Sequence, residues 1–132
     1  MGTYTLRGDQ KYQVLRSKTF NIDNGSGTTD DDVIFADLPF DVELKSVNAV
    51  YVEATDTAGA ADANFKLGTT AGGNGVVAAT ALEVSKAVGA STSATLASNR
   101  IPAGTDLFAR HTGVATTQPG QYYIQVVYSI LP

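Results

Sequence analysis

Polar and apolar positions alternate most regularly in the last run of the chain, residues 121–131. The alternate apolar positions of this run are Tyr122, Ile124, Val126, Tyr128 and Ile130. Successive side chains of a β-strand point to opposite faces, so the pattern predicts a strand with one buried face. Residues 101–112 also have strand character, and Pro119-Gly120 between the two runs is typical of a turn. We therefore expect the two runs to pair as a long antiparallel hairpin.

The first run with strand character is residues 11–22. Its apolar residues are spaced so that they would share one inward face: Tyr12, Val14, Phe20 and Ile22. Arg16 and Lys18 interrupt that face, and such charges are tolerated mainly at a bulge or at the edge of a sheet. The run therefore predicts a strand that is bulged or lies at an edge.

The middle of the chain has weaker patterns. Residues 23–32 have the composition of a loop, rich in Gly, Asn, Thr and Asp. Residues 42–55 change phase at Ser46-Val47, which predicts either a bulge there or an interior strand covered on both faces. Residues 76–82 favour a short helical turn or an irregular strand. Two further short strands are expected, at 63–69 and 91–98.

These runs are separated by clusters of Gly, Pro, Asn and Asp, and nothing in the sequence marks a second domain. About six to eight short strands with this spacing are typical of two packed sheets. We predict an all-β protein, an antiparallel β-sandwich that is jelly-roll-like, with at most one short helix. Residues 1–10 are expected to form an extended N-terminal arm, followed by a single sandwich domain at 11–132.

Composition limits the classes of function. Of the 132 residues, 43% are hydrophobic and only 17% are charged, so the chain can build a core and leaves part of its surface neutral. The net charge of −4 argues against a nucleic-acid partner, because phosphates require basic residues. No apolar run reaches membrane-spanning length, and the chain has no Cys for disulfides or thiolate metal sites. We expect neither nucleic acid nor membrane as a partner.

Candidate chemical groups are few and isolated. His111 is the only histidine, and no second ligand or base accompanies it, so we expect a hydrogen-bonded residue at a strand end. The run Asp30-Asp31-Asp32 lacks the spacing of a calcium loop, and residues 68–75 lack the ending of a phosphate-binding loop. Tyr122-Tyr123 directs one ring to each face of its strand. We predict no enzyme activity, catalytic residue, cofactor, metal or small-molecule substrate.

The second half of the chain contains the stretch Ile101-Pro-Ala-Gly-Thr-Asp-Leu-Phe-Ala-Arg-His-Thr-Gly-Val-Ala-Thr-Thr-Gln-Pro-Gly-Gln-Tyr-Tyr-Ile-Gln-Val-Val-Tyr. This stretch resembles a known group of proteins, small structural proteins encoded near the head genes of tailed bacteriophages. Two shorter stretches are similar to that group too, Leu67-Gly-Thr-Thr-Ala-Gly-Gly and Val77-Ala-Ala-Thr. Such proteins are typically capsid decoration, or cement, proteins: β-sandwiches that sit as trimers over the junctions of major capsid subunits.

The resemblance implies a virion structural protein, made in the host cytoplasm, on the outer surface of a phage head. It further implies a homotrimer that binds the major capsid protein at capsomer junctions and stabilises the shell. The group has no catalytic motif to transfer. From the polar arm and the cluster of positive charge near it, we expect these residues to contact the capsid: Tyr4, Leu6, Arg7, Lys11, Arg16 and Lys18.

Two alternatives remain open from the residues alone. A carbohydrate- or receptor-binding domain of a head or tail fibre would need an exposed aromatic ring beside polar loops, and Tyr123 is the candidate. A small hydrolase would depend on His111 as its only obvious base.

Overall fold

The computed structural model describes residues 12–55, 63–114 and 119–131, and in these ranges the chain forms β-strands and no helix. The predicted arm at 1–10 and Lys11 lie outside the described residues. No helix with the length and apolarity needed to span a bilayer occurs in the described ranges. The strands are β1 (Tyr12–Arg16), β2 (Phe20–Asn21), β3 (Thr29–Phe35), β4 (Val42–Glu53), β5 (Asn64–Gly68), β6 (Val77–Ala81), β7 (Ser91–Ser93), β8 (Arg100–Ile101), β9 (Leu107–Thr112) and β10 (Gln121–Ile130).

The strands form two antiparallel sheets. Sheet A has the order β1-β10-β4-β7. Two short strands extend its edges: β2 pairs with β10 after β1 ends, and β8 pairs with β4 after β7 ends. Sheet B has the order β3-β9-β5-β6. The connections β1–β2, β7–β8 and β5–β6 stay within one sheet. Every other connection takes the chain from one sheet to the other. This crossing pattern is that of a jelly roll, so the predicted all-β sandwich class is confirmed.

The core lies between the two sheets and is built from the inward face of each long strand. β10 buries Tyr122, Ile124 and Val126 completely, as its alternation predicted, whereas Ile130 at the end of the strand is exposed, contrary to that prediction. β5 buries Phe65 and Leu67. Burying a side chain of this size stabilises the fold by about 1.5–3 kcal/mol relative to leaving it exposed. The alternation of polarity in these strands is therefore what directs them into a sandwich.

The predicted pairing of residues 101–112 with 121–131 is wrong. β9 pairs with β3 and β5 in sheet B, whereas β10 pairs with β1, β2 and β4 in sheet A. Both strands direct their apolar faces inward, so they meet across the core through side chains instead of side by side through backbone hydrogen bonds. Periodicity identifies the buried face of a strand but carries no information on which strand is its neighbour.

The first run is interrupted at the edge of sheet A, as predicted. β1 is the outer strand, and Ser17-Lys18-Thr19 separates it from β2. Phe20 is fully buried, whereas Tyr12 and Val14 lie on the outer face of the sheet and are exposed. The prediction that all of these apolar residues share an inward face is wrong, because the interruption changes which side of the strand faces the core.

The bulge predicted in residues 42–55 is confirmed. The pairing of β10 with β4 passes from Ser46 directly to Leu44, so Lys45 is the extra residue. On either side of it, Leu44 and Val47 are both buried, which explains why the apolar pattern changes phase there.

Three other segments differ from or refine their predictions. β3 begins at Thr29, so the aspartates at 30–32 lie in a strand and not in the predicted loop. Residues 77–81 form the short strand β6 and not a helical turn. The strand expected at 91–98 is limited to Ser91–Ser93. Aspartate disfavours strands, and the ion pairs described below offset that preference in β3.

Candidate interaction surface

The residues expected to contact a capsid are only partly covered by the described structure. Tyr4, Leu6, Arg7 and Lys11 lie outside the described residues. Arg16 ends β1 on the outer face of sheet A, and Lys18 lies in the interruption between β1 and β2. The two described members are therefore neighbours in sequence at the same edge of the sandwich.

Arg16 is held against an aromatic ring of the next strand. Its guanidinium carbon lies 5.1 Å from the centre of the Tyr123 ring, and Arg16 pairs in register with Gln125. A cation over an aromatic face is stabilised by about 0.5–1 kcal/mol at an exposed site. Tyr123 is half-buried on the outer face, as the prediction of one ring to each face required, but Arg16 covers part of its ring. A sugar-stacking platform would need that ring face uncovered.

Lys18 connects the edge of sheet A to β3 of sheet B through two hydrogen bonds. Its Nζ donates to Asp30 Oδ1 at 2.5 Å, and its backbone N–H donates to Asp32 Oδ2 at 2.7 Å. The same Nζ lies 5.7 Å from the centre of the Phe20 ring. These contacts fix the interruption of the edge strand against sheet B, so part of the positive charge of Lys18 is already compensated within the protein.

Asp31 points to the outer face of sheet B and binds Arg110. Arg110 Nε donates to Oδ1 at 2.6 Å and Nη2 donates to Oδ2 at 2.7 Å, a two-point ion pair. The hydrogen bonds from Arg110 hold the pKa of the Asp31 carboxyl below its ordinary value, and they raise the pKa of Arg110. In the described ranges, no group of three or more His, Asp or Glu is arranged to hold a metal ion.

His111 lies in the core and has no contact with solvent. Its Nδ1 is 2.6 Å from Tyr122 Oη, and its ring stacks on Phe20 with the ring centres 5.7 Å apart. Nε2 is buried and has no hydrogen-bond partner among the described residues. Burial lowers the pKa of His111 to about 4, against the opposing effects of Asp30 and of the nearby backbone of residues 21–22. The imidazole is therefore neutral near pH 7. Because the ring is buried, it cannot contact a substrate in solution.

The outer faces of both sheets carry charged side chains. On sheet B, the Asp31–Arg110 ion pair and Lys66, which pairs in register with Arg110, lie in the middle of the face. The outer face of sheet A carries Arg16, Glu43 and Lys45. It also carries six apolar or aromatic side chains, which are Tyr12, Val14, Val127, Tyr123, Val50 and Val52. Val14 pairs directly with Val127, and Tyr123 pairs directly with Val50, so the apolar side chains are adjacent across strands.

Arg16 stands in register with Gln125 and Asn48, between the Val14–Val127 pair and the Tyr123–Val50 pair, so the apolar side chains do not form an uninterrupted strip. Glu43 and Lys45 form an ion pair of 3.0 Å at one end of the face, and Lys45 Nζ also lies 5.9 Å from the centre of the Tyr12 ring. Glu53 lies at the other end, where one carboxylate oxygen accepts a hydrogen bond from the backbone of Gly120 at 2.9 Å.

Comparison with known proteins adds a structural likeness. No protein-family model matches the chain, and no curated protein sequence matches it. A chain of the cyanophage Pam1 capsid asymmetric unit is similar in structure, with a TM-score of 0.58 and 15% identity over 92% of this chain and 85% of that chain. A chain from the Bacillus endospore appendages, a novel family of disulfide-linked pili, aligns with a TM-score of only 0.31 and 17% identity over 98% of this chain and 100% of that chain. At these identities the capsid likeness concerns the fold: this chain shares a β-sandwich architecture with a chain of a phage capsid unit.

Proposed function

We propose that this chain is a non-enzymatic virion structural protein that decorates the outer surface of a tailed-phage head. It would bind the major capsid protein at the junctions between capsomers, as a homotrimer, and stabilise the shell. Residues 11–132 would form the sandwich that sits on the shell, and residues 1–10 would be an extended attachment arm.

One observation carries this proposal: the same sandwich fold occurs in a chain of the Pam1 capsid unit and extends over 92% of this chain. The resemblance of residues 101–128 to phage head proteins supports it independently, because it rests on sequence and not on the fold. The single histidine lies in the core, which removes the only obvious base from contact with a substrate and favours a structural role.

The mechanism would be preferential binding to the assembled shell. A ligand that binds one state and not the other stabilises that state by about 2.7 kcal/mol when its concentration is 100 times its dissociation constant. Many copies bound to one head would add such contributions at every occupied junction. The chain needs no chemistry for this role, only a rigid shape and an attachment surface.

The attachment surface would lie at the edge of sheet A where the chain begins, and would comprise Tyr4, Leu6, Arg7, Lys11, Arg16 and Lys18. Arg16 is the described member best suited to a partner, because it is exposed and its guanidinium lies over the uncharged ring of Tyr123. Lys18 already binds Asp30, so it would contribute less to attachment. A charge at the rim of an interface acts mainly on the association rate and on the salt dependence of binding.

Cosedimentation with heads that lack decoration tests the proposal. The complete chain should pellet with the heads and raise the temperature at which they open, whereas a chain without residues 1–10 should remain in the supernatant. Circular dichroism of the shortened chain serves as the control that its β-structure is retained. Equal occupancy of heads by both chains would contradict the role of the arm, and no binding by the complete chain would contradict the function.

The same assay tests whether Arg16 itself contributes to attachment or whether only the net charge of the protein matters. Arg16→Ala should weaken binding by at most about fivefold, since an exposed ionic contact contributes about 0.2–1 kcal/mol. Arg100→Ala is the matched control, because Arg100 is also exposed on sheet A but lies on the opposite side, where it binds Asp41 at 2.8 Å. Equal losses for the two variants would mean that net charge, and not this edge, governs attachment.

A further inference from the structure

We propose that Asn74 is a site of spontaneous deamidation in the folded protein, whereas the fold protects Asn24 from the same reaction. Asn-Gly pairs occur at residues 24–25 and 74–75, and both pairs lie outside the strands. The two pairs share the local sequence that favours the reaction, so a difference in their rates is caused by the fold. The inference concerns a covalent modification and is independent of the proposed function.

The reaction requires only water and the chain itself. The backbone nitrogen of the glycine, once base has removed its proton, attacks Cγ of the asparagine and forms a C–N bond that closes a succinimide ring. The side-chain nitrogen leaves as ammonia. Water then opens the ring at either carbonyl and gives aspartate or isoaspartate, so an amide and water become a carboxylic acid and ammonia. Glycine favours the attack because it has no Cβ beside the nitrogen and its backbone turns freely.

The Asn74-Gly75 pair is open to this attack. Asn74 is exposed and lies in the connection between β5 and β6. Among the described residues, no backbone carbonyl accepts a hydrogen bond from the Gly75 N–H. A Cβ built at Gly75 would meet no atom within 4 Å, so the nitrogen and the Asn74 side chain have room to approach each other. Exposed loops of this kind are also the parts of a fold where the backbone moves most readily.

The Asn24-Gly25 pair is held in an arrangement that opposes the attack. The Gly25 N–H donates to Val114 O at 3.0 Å, so the attacking nitrogen is bound to a neighbouring segment. Gly27 N–H donates to Gly113 O at 3.2 Å and fixes the same loop at a second point. Asn24 Oδ1 is buried, at the place where a side chain of Gly113 would begin. The Asn24 amide can therefore react only after this loop has opened.

Modification of Asn74 would change the start of β6. The Gly73 N–H donates to Thr70 O at 2.9 Å, and the Val76 N–H donates to Leu67 O at 3.1 Å. Isoaspartate adds one backbone atom between these two fixed points, whereas aspartate adds only a negative charge. We therefore expect the isoaspartate form to lose the bond between Val76 and Leu67 more readily than the aspartate form does.

Incubation of the folded, complete chain in mildly alkaline buffer, followed by peptide mapping with mass spectrometry, tests the inference. Residue 74 should become a mixture of aspartate and isoaspartate as ammonia is released. Asn24 should react at least about tenfold more slowly, because two backbone hydrogen bonds must break first. In concentrated urea both asparagines should react at similar rates, since neither is then protected.

The variant Gly75→Ala tests the chemistry without disturbing the fold. Its Cβ lies beside the attacking nitrogen at a position with room for it, so conversion at residue 74 should slow severalfold while the circular dichroism spectrum is unchanged. Asn74→Gln is the second variant, and its longer side chain should leave residue 74 unmodified over the same period.

Three outcomes would overturn the inference. The folded chain could keep the Asn74 amide, with or without its loss in urea. Asn24 and Asn74 could react at equal rates in the folded chain, which would mean that the loop at residues 23–28 gives no protection. Gly75→Ala could react as fast as the parent chain, which would mean that the amide is lost without the succinimide. Head binding does not enter this test, so either proposal can fail without the other.

Discussion

The buried His111–Tyr122 pair makes the stability of this protein depend on pH in a range where carboxylates contribute little. The pKa of His111 is lowered by burial to about 4 in the folded protein, from 6.5 for an ordinary imidazole. Well above pH 6.5 the imidazole is neutral in both the folded and the unfolded chain, so its titration does not lower the free energy of unfolding. Below that pH the unfolded chain binds a proton that the folded chain does not, so stability falls until the folded pKa is passed.

The size of this effect follows from the difference between the two pKa values. When the pH falls from above both pKa values to below both, the free energy of unfolding decreases by about 3 kcal/mol, because each pKa unit corresponds to about 1.36 kcal/mol. Between about pH 7 and pH 5 the loss is about 2 kcal/mol. The carboxyl groups with lowered pKa values, Asp31, Asp41 and Glu83, begin to lose their stabilising ionisation only below this window.

A double-mutant cycle separates the imidazole from everything else that titrates. His111→Leu leaves the Tyr122 hydroxyl without its partner, and Tyr122→Phe leaves His111 Nδ1 without its partner, so each should lower the free energy of unfolding by about 1–3 kcal/mol. The double variant removes both polar groups and should lose less than the sum of the two single variants. Only the chains that retain His111 should lose stability between about pH 7 and pH 5.

Urea denaturation measures these differences. The chain has six Tyr and no Trp, so tyrosine fluorescence and far-ultraviolet circular dichroism are the available signals. Agreement of the two signals is required before a free energy of unfolding is assigned. The reasoning is refuted if the parent chain and the double variant show the same dependence on pH in this window, because the imidazole would then not be buried and neutral.

Two further substitutions test individual contacts. Tyr51→Phe removes a buried hydroxyl that lies 2.6 Å from Thr92 Oγ1, and it should lower the free energy of unfolding by about 1–2 kcal/mol in urea; an unchanged midpoint would show that the bond contributes nothing. Gly72→Ala adds a Cβ at a φ of +74° and only 2.6 Å from Arg110 Nη1, so it should destabilise the chain by about 1–3 kcal/mol. Gly75→Ala meets no atom within 4 Å and is the matched control, and equal losses at the two glycines would contradict the steric account.

The candidate surface was only partly accessible from the sequence. Charge patterning identified Arg16 and Lys18, but not what they contact, because Tyr123 and Asp30 are brought to them by strand pairing. The role of the aspartates in β3 was missed for the same reason, since a run of acidic residues resembles a loop until its cationic partners are known.

The sequence by itself determined that the chain is all-β and that the alternate positions from Tyr122 to Tyr128 of β10 face the core, and it gave a bulge in residues 42–55 as one of two alternatives. These are consequences of a two-residue period that any strand expresses locally. Only the tertiary structure decided that β9 and β10 belong to different sheets, that His111 meets Tyr122 across the core, and that Arg16 lies over the Tyr123 ring. Those features depend on which strands become neighbours, and that choice is made by packing between segments far apart in the chain.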